Sequence, residues 1–128
     1  MNENFKIMNS GEIRFVIGRL FFIIDGEYRR KMLKCFANKE GFGQEVIFAL
    51  FQSDFDDVDQ ERLPKRLDDE HVLLEQNYPV VEVNEFAYLD FPTFYGYVSD
   101  EIKKIVKVDP EESDLLDLLA KVKQGLGV

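Results

Sequence analysis

Residues 80–105, VVEVNEFAYLDFPTFYGYVSDEIKKI, pass directly from a strand pattern to a helix pattern. Alternation over residues 80–89 predicts a strand with one set of side chains facing the core (Val81, Val83, Ala87 and Leu89) and another facing away (Glu82, Asn84, Phe86 and Tyr88). Asp90 is the predicted N-cap of a helix beginning at Phe91, since Pro92 is tolerated in a first turn whose N–H groups lack partners. One apolar face supports this helix: Phe91, Phe94, Val98, Ile102 and Ile105.

Two further strands are predicted upstream of this stretch. Residues 46–51, VIFALF, are apolar and rich in strand formers, and residues 71–76 precede the turn-prone Asn77-Tyr78-Pro79. Residues 71–76 and 80–89 are therefore expected to form a hairpin. Gly41-Phe42-Gly43 is predicted to be a turn that ends an N-terminal helical region.

Helical patterns occupy both ends of the chain. Apolar residues spaced three and four apart predict a first helix with Ser10 as candidate N-cap and a second helix over residues 28–36. The last helix is predicted to start with Asp109 as N-cap and Pro110 in its first position. The order of elements predicts an α+β fold, a small antiparallel sheet of about three strands flanked by N-terminal and C-terminal helices.

Length and composition predict one domain spanning residues 1–128. The longest mostly apolar stretch, residues 15–24, contains Arg19 and is far shorter than a membrane-spanning helix, and the N-terminal residues do not resemble a signal peptide. The single cysteine, Cys35, agrees with a reducing compartment. We therefore expect a cytoplasmic protein with no membrane partner.

Negative charge is concentrated in the middle of the chain. The net charge is −9, yet residues 45–100 contain 14 Asp and Glu against three Lys and Arg. Such a surface attracts basic partners and repels nucleic acid, so no direct nucleic-acid binding is expected. The basic run at residues 29–34 is expected to be a solvated helix face.

Catalytic and metal-binding patterns are nearly absent from the sequence. His71 is the only histidine and is expected at the surface or rim, and one Cys with one His does not make a zinc site. Asp54, Asp56 and Asp59 do not match the calcium-loop template, which Val58 interrupts. We therefore expect no enzyme activity, cofactor or metal. A carboxylate-pair enzyme stays as an alternative, which a pocket holding a carboxyl group with a raised pKa would favour.

Residues 52–70, QSDFDDVDQERLPKRLDDE, combine eight acids with Pro64 and show no sustained period. We call residues 52–70 the acidic segment and expect it to cross the surface as a long, functional connection. Phe55 and Val58 within it have two interpretations. They either attach the segment to the body of the protein or form the apolar centre of a contact with an acidic rim.

The chain resembles the immunity proteins of bacterial contact-dependent growth inhibition, and more narrowly those that neutralise ribonuclease toxins. The resemblance covers residues 21–123 and lies in the G-F-G turn, the V-I-F-A-L-F strand, the passage F-A-Y-L-D-F-P-T-F-Y-G-Y and the closing D-P-E-E-x-D-L-L-D-L-L-A-K-V-K helix. It implies a cytoplasmic protein that binds the C-terminal toxin domain of a delivered effector and blocks its active site or its access to RNA.

An acidic protein can occupy the basic surface of a ribonuclease as a phosphate mimic. The predicted partner-binding residues are accordingly Asp54, Phe55, Asp56, Asp57, Asp59, Glu61, Asp68, Asp69 and Glu70. Two alternatives stay open. The acidic segment could be an ordinary solvated loop, or the protein could be a small adaptor or regulatory domain that binds a basic helix without any toxin.

Overall fold

A five-stranded sheet organises the described part of the chain. The computed structural model describes residues 5–44, 46–77 and 83–128. Its strands are β1 (Phe5–Ile7), β2 (Phe42–Gln44), β3 (Ile47–Leu50), β4 (His71–Gln76) and β5 (Asn84–Asp90). Its α-helices are α1 (Ser10–Ile23), α2 (Gly26–Ala37), α3 (Asp57–Glu61), α4 (Phe91–Val108) and α5 (Asp114–Leu126). Two single-turn 3-10 helices, Gln52–Asp54 and Pro110–Glu112, precede α3 and α5.

The strand order is β1-β5-β4-β3-β2. The predicted hairpin is confirmed as the antiparallel pair of β4 and β5, and β3 pairs antiparallel with β4. The predicted count of about three strands is too low, and the sheet is not purely antiparallel because β1 pairs parallel with β5. The fold is therefore α+β, as predicted, with a mixed sheet. Residues 78–82, including the predicted turn at Tyr78-Pro79 and the predicted strand residue Val81, lie outside the described residues.

The predicted turn at Gly41-Phe42-Gly43 is wrong, because Phe42–Gln44 forms edge strand β2 against β3. Gly43 lies opposite Phe48 in this pair. A Cβ at Gly43 would overlap both the Phe48 ring and the Ile47 carbonyl oxygen. Gly43 thus allows two strands to approach closely and does not reverse the chain direction.

Helix ends follow the predicted signals in part. Asp90 caps α4 as predicted, its Oδ1 accepting a hydrogen bond from the Thr93 N–H at 2.8 Å. The N-cap of α1 is Asn9 rather than Ser10, and Asn9 forms a reciprocal capping box with Glu12. Asp109 caps the short 3-10 turn at Pro110, so α5 begins later than predicted.

The main core lies between the sheet and helices α1, α2, α4 and α5. Its centre contains Phe36, Phe51 and Phe94, whose ring centroids lie 5.2–6.1 Å apart. Ala87 and Leu89 face this core as predicted. We call this side of the sheet the helical face, and the opposite side the outer face.

The prediction of a solvated basic helix face is wrong for two arginines of α2. Arg29 is buried, and its guanidinium donates hydrogen bonds to the carbonyl oxygens of Phe21 and Ile24 at the end of α1. Arg30 pairs with Asp114 at 2.8 Å and with Glu112, which ties α2 to the start of α5. These bases stabilise the helical layer.

Candidate functional site

The acidic segment is attached to the outer face of the sheet by a second, smaller apolar cluster. Leu67 is fully buried there against Leu73 of β4 and Phe86 of β5. The half-buried residues Phe5, Leu50, Phe55, Leu63 and Tyr88 surround them. Of the two interpretations of Phe55, the structure supports attachment. Val58 is instead 59% exposed on α3.

Hydrogen bonds from two side chains hold the backbone of the acidic segment in place. The amide of Gln60, which is 5% exposed, accepts from Leu67 N at 2.8 Å and donates to Leu67 O at 2.9 Å. The Tyr88 hydroxyl donates to Lys65 O at 2.7 Å and accepts from Lys65 N at 3.1 Å. The Lys65 ammonium also lies 5.0 Å from the Tyr88 ring centroid. These two side chains therefore fix the conformation of residues 60–67 within the segment.

Besides Asp68, which is described below, three of the predicted acids have bonding partners within the protein. Asp56 is the N-cap of α3, and its Oδ1 accepts from Asp59 N at 2.8 Å. Asp54 accepts a hydrogen bond from Phe51 N at 2.7 Å. Asp57 pairs with Arg66 at 3.0 Å, an exposed ion pair of little energetic weight. These carboxylates shape the segment as well as charging it.

Three other acids have no bonding partner within the described part of the chain. Glu61, Asp69 and Glu70 are exposed, and their carboxylates make no hydrogen bond or ion pair with a described residue. Asp59 is half-buried on α3. The structure thus divides the predicted acids by their bonding: some accept hydrogen bonds or form ion pairs within the protein (Asp54, Asp56, Asp57 and Asp68), and others are exposed without a described partner (Glu61, Asp69 and Glu70).

Asp68 and His71 form a pair where the acidic segment joins β4. His71 Nδ1 lies 2.8 Å from Asp68 Oδ1, and Glu70 N donates to the same oxygen at 2.9 Å. The hydrogen bond from His71, followed by that from the Glu70 backbone, holds the pKa of Asp68 below its usual value. His71 therefore occupies the predicted rim position.

A crevice of about 90 Å³ opens beside this pair, lined by Lys39, Phe51, Gln52, Ser53, Asp68, Asp69, His71 and Phe91. The ammonium of Lys39, one of the lining residues, lies 5.5 Å from the Phe91 ring centroid. Small-molecule sites usually enclose about 300 Å³ or more, so this crevice suits one inserted side chain rather than a substrate.

An anchored acidic surface beside a crevice too small for a substrate is typical of a protein-binding surface. A family model described as CDI immunity protein, where CDI is contact-dependent growth inhibition, matches residues 13–119. The chain belongs to the CDI immunity protein family. No curated protein and no solved structure matches it. The match spans the acidic segment together with β2 to β5, and it confirms the predicted family.

Metal-binding groups and the single thiol can be assessed in the described residues of this CDI immunity protein. They contain no group of three or more His, Cys, Asp or Glu arranged to hold a metal. Burial raises the pKa of the Cys35 thiol, which disfavours the reactive thiolate. Within the described ranges, none of the helices has the length and apolarity needed to cross a membrane.

Sequence reasoning missed the residues that anchor this immunity protein's acidic surface. Gln60 and Leu67 lie inside a segment without periodicity, and no local pattern identifies either as buried. A signal was present for Tyr88 and Phe86, which alternate with the core-facing residues of β5 and place large aromatics on the outer face. Large aromatic side chains on the outer face need to be shielded from water, and the acidic segment packs over them.

Proposed function

We propose that residues 1–128 form a single immunity domain that binds the toxin domain of a delivered effector in the cytoplasm and neutralises it without catalysis or a cofactor. Membership of the CDI immunity family supports a cognate toxin as the partner. We further propose that this toxin is a ribonuclease, located in the C-terminal domain of a secreted effector. A ribonuclease presents Lys and Arg to hold its polyanionic substrate.

The observation that carries the proposal is the fixed acidic segment. Its backbone is held by Gln60 and Tyr88, so binding orders few groups and costs little conformational entropy. Its proposed contact residues are Asp54, Phe55, Asp56, Asp57, Asp59, Glu61, Asp68, Asp69 and Glu70. The exposed acids speed association with a basic partner by electrostatic steering.

Val58 supplies an apolar point within this charged surface. It projects from α3 with 59% of its surface exposed, between the acids of the same helix. Binding energy in protein interfaces concentrates in a small desolvated centre surrounded by a polar rim. We therefore propose that Val58 contacts the toxin directly, while Phe55 contributes from its half-buried position.

The test is RNA cleavage by the C-terminal domain of the effector encoded immediately upstream, measured with and without this protein. We expect inhibition that is complete at a one-to-one molar ratio and absent with an unrelated acidic protein of similar net charge. Cleavage that is not inhibited would contradict the proposal. An upstream domain without nuclease activity would contradict the ribonuclease target and favour an adaptor that binds another basic protein.

A further inference from the structure

One row of side chains crosses all five strands on the outer face of the sheet. From β1 to β2 through the paired positions, its members are Ile7, Phe86, Glu75, Phe48 and Gly43. Residues directly opposite each other in antiparallel strands share a face, with their Cβ atoms about 5 Å apart. Glu75 is therefore the one charged member of an otherwise apolar row, and it lies between two phenylalanines. We call these five residues the Glu75 row.

The Glu75 row borders the acidic segment. The next row along β4 and β5 contains Leu73 and Tyr88, lies about 7 Å away and packs under the segment. Phe86 belongs both to the Glu75 row and to the apolar cluster beneath the segment. Phe48 and Glu75 are half-buried, so the row keeps access to solvent. A partner seated on the acidic segment can therefore reach Glu75.

The Glu75 carboxylate carries a charge that nothing in the described part of the chain offsets. Asn77 donates a hydrogen bond to it, and none of the described Lys, Arg or His side chains forms an ion pair with it. Burial raises the pKa of this carboxyl group, because the flanking apolar side chains keep water away from the charged form. The glutamate therefore lowers stability near neutral pH. Proteins keep such local costs mainly at functional sites.

We propose that Glu75 is a further toxin contact and that it receives an arginine side chain of the toxin domain. The inference rests on the proposed function and adds the chemistry of one partner residue. A guanidinium donates two parallel hydrogen bonds to one carboxylate, and its flat face stacks on an aromatic ring such as that of Phe48. A guanidinium is also more weakly hydrated than an ammonium, so arginine enters a half-buried site at lower cost than lysine. A ribonuclease uses such groups to hold phosphate, which the Glu75 carboxylate replaces.

Glu75 and the exposed acids should act on different steps of toxin binding. Exposed charges steer the approach of a basic partner and raise the association rate constant. The Glu75 carboxylate is flanked by apolar side chains, so its attraction to an arginine becomes strong only when docking removes the remaining water. Loss of Glu75 should therefore raise the dissociation rate constant and leave the association rate constant nearly unchanged.

Glu75→Gln tests this inference with a side chain of the same size. We expect the rate constant for dissociation from the toxin domain to rise at least about tenfold, and the association rate constant to change less than about twofold. The matched control is Glu85→Gln, which removes one half-buried acid from the adjacent strand on the opposite side of the sheet. Surface plasmon resonance measures both variants against wild type. Because Glu75→Gln should melt no lower than wild type, unfolding would not explain its faster dissociation.

A double-mutant cycle identifies the partner residue. Each arginine of the toxin domain is replaced by alanine in turn, and its binding to wild type and to Glu75→Gln is measured. One replacement should weaken binding to wild type at least about tenfold and weaken binding to Glu75→Gln much less. Unchanged dissociation of Glu75→Gln, equally fast dissociation of Glu85→Gln, or the absence of a coupled arginine overturns the inference and leaves the proposed function intact. Failure of the wild-type protein to bind the toxin domain overturns both.

Discussion

The side-chain amide of Gln60 is bonded in both directions to the backbone of Leu67. Its Oε1 accepts from Leu67 N at 2.8 Å, and its Nε2 donates to Leu67 O at 2.9 Å. Both residues are buried, so water does not replace these bonds. The pair closes the middle of the acidic segment into one unit above Leu73 and Phe86.

Replacing Gln60 should loosen the acidic segment before it affects the rest of the fold. Gln60→Leu leaves the buried N–H and C=O of Leu67 unpaired, and we expect a loss of about 1–3 kcal/mol in the free energy of unfolding. Urea unfolding measures the loss, and amide hydrogen exchange should increase in the acidic segment. Gln60→Glu keeps the acceptor for Leu67 N but loses the donor to Leu67 O, so it should also destabilise the protein. Unchanged exchange would show that the apolar contacts suffice.

Neutralising the solvent-facing acids should slow toxin capture without affecting stability. We expect the triple variant Glu61→Gln, Asp69→Asn, Glu70→Gln to lower the association rate constant about tenfold at low salt. Its matched control is Glu27→Gln, Glu111→Gln, Asp117→Asn, which changes net charge equally at exposed acids of the helical layer. Stopped-flow measurement of association with the toxin domain, at low and high salt, compares the rate constants of the two triple variants. Equal slowing in both variants would implicate overall charge rather than this surface.

Asp90→Ala should remove the N-cap of α4. Hydrogen bonds from the Thr93 side chain and N–H lower the pKa of Asp90, so its stabilisation is present above the ordinary carboxyl pKa and is lost as pH falls through the lowered value. We expect a cost of about 1 kcal/mol near neutral pH, which shrinks in acid. Thermal melts across pH measure it. Asp69→Ala, which removes an exposed acid without a described partner, should cost little at any pH.

Glu75→Gln should stabilise the protein near neutral pH. Glu75 lies between Phe48 and Phe86 in the sheet register, and burial raises the pKa of its carboxyl group while a hydrogen bond from Asn77 acts in the opposite direction. The charged form therefore lowers stability above the raised pKa, and this cost disappears as pH falls through it. Melting temperatures of variant and wild type should differ near neutral pH and converge in acid. A lower melting temperature for the variant near neutral pH would contradict this assignment.

Gly125 and Gly96 should respond oppositely to alanine. A Cβ on Gly125 would overlap the Ala37 carbonyl oxygen where α5 approaches α2, whereas a Cβ on Gly96 of α4 meets no atom within 4 Å. Gly125→Ala should cost about 1–3 kcal/mol of stability through overpacking. Gly96→Ala should add about 0.5–1 kcal/mol through helix propensity. Chemical denaturation of both variants measures these changes in the free energy of unfolding. An unchanged stability of Gly125→Ala would mean that α5 shifts easily.

Local sequence signals predicted the elements whose stability is local. The Asp90 cap, the alternation of β5 and the apolar stripe of α4 follow from hydrogen-bond geometry and side-chain periodicity within a few residues. Strands β1 and β2 were missed because each has three residues at a sheet edge and is stabilised by its neighbour rather than by its own pattern. The basic run of α2 was predicted to be solvated because the groups that accept hydrogen bonds from its arginines lie elsewhere in the sequence, in α1 and beyond α4.

By itself, the sequence determined the charge density of the acidic segment, the helical and strand periodicities and the resemblance to CDI immunity proteins. Tertiary structure alone decided which acids bond within the protein and which have no described partner. The physical reason is that the anchoring bonds of the acidic segment join residues distant in sequence, such as Tyr88 with the backbone of Lys65. Burial of Leu67 against the outer face likewise exists only once β4 and β5 are paired. Composition can predict that a surface is acidic, but only packing fixes its shape.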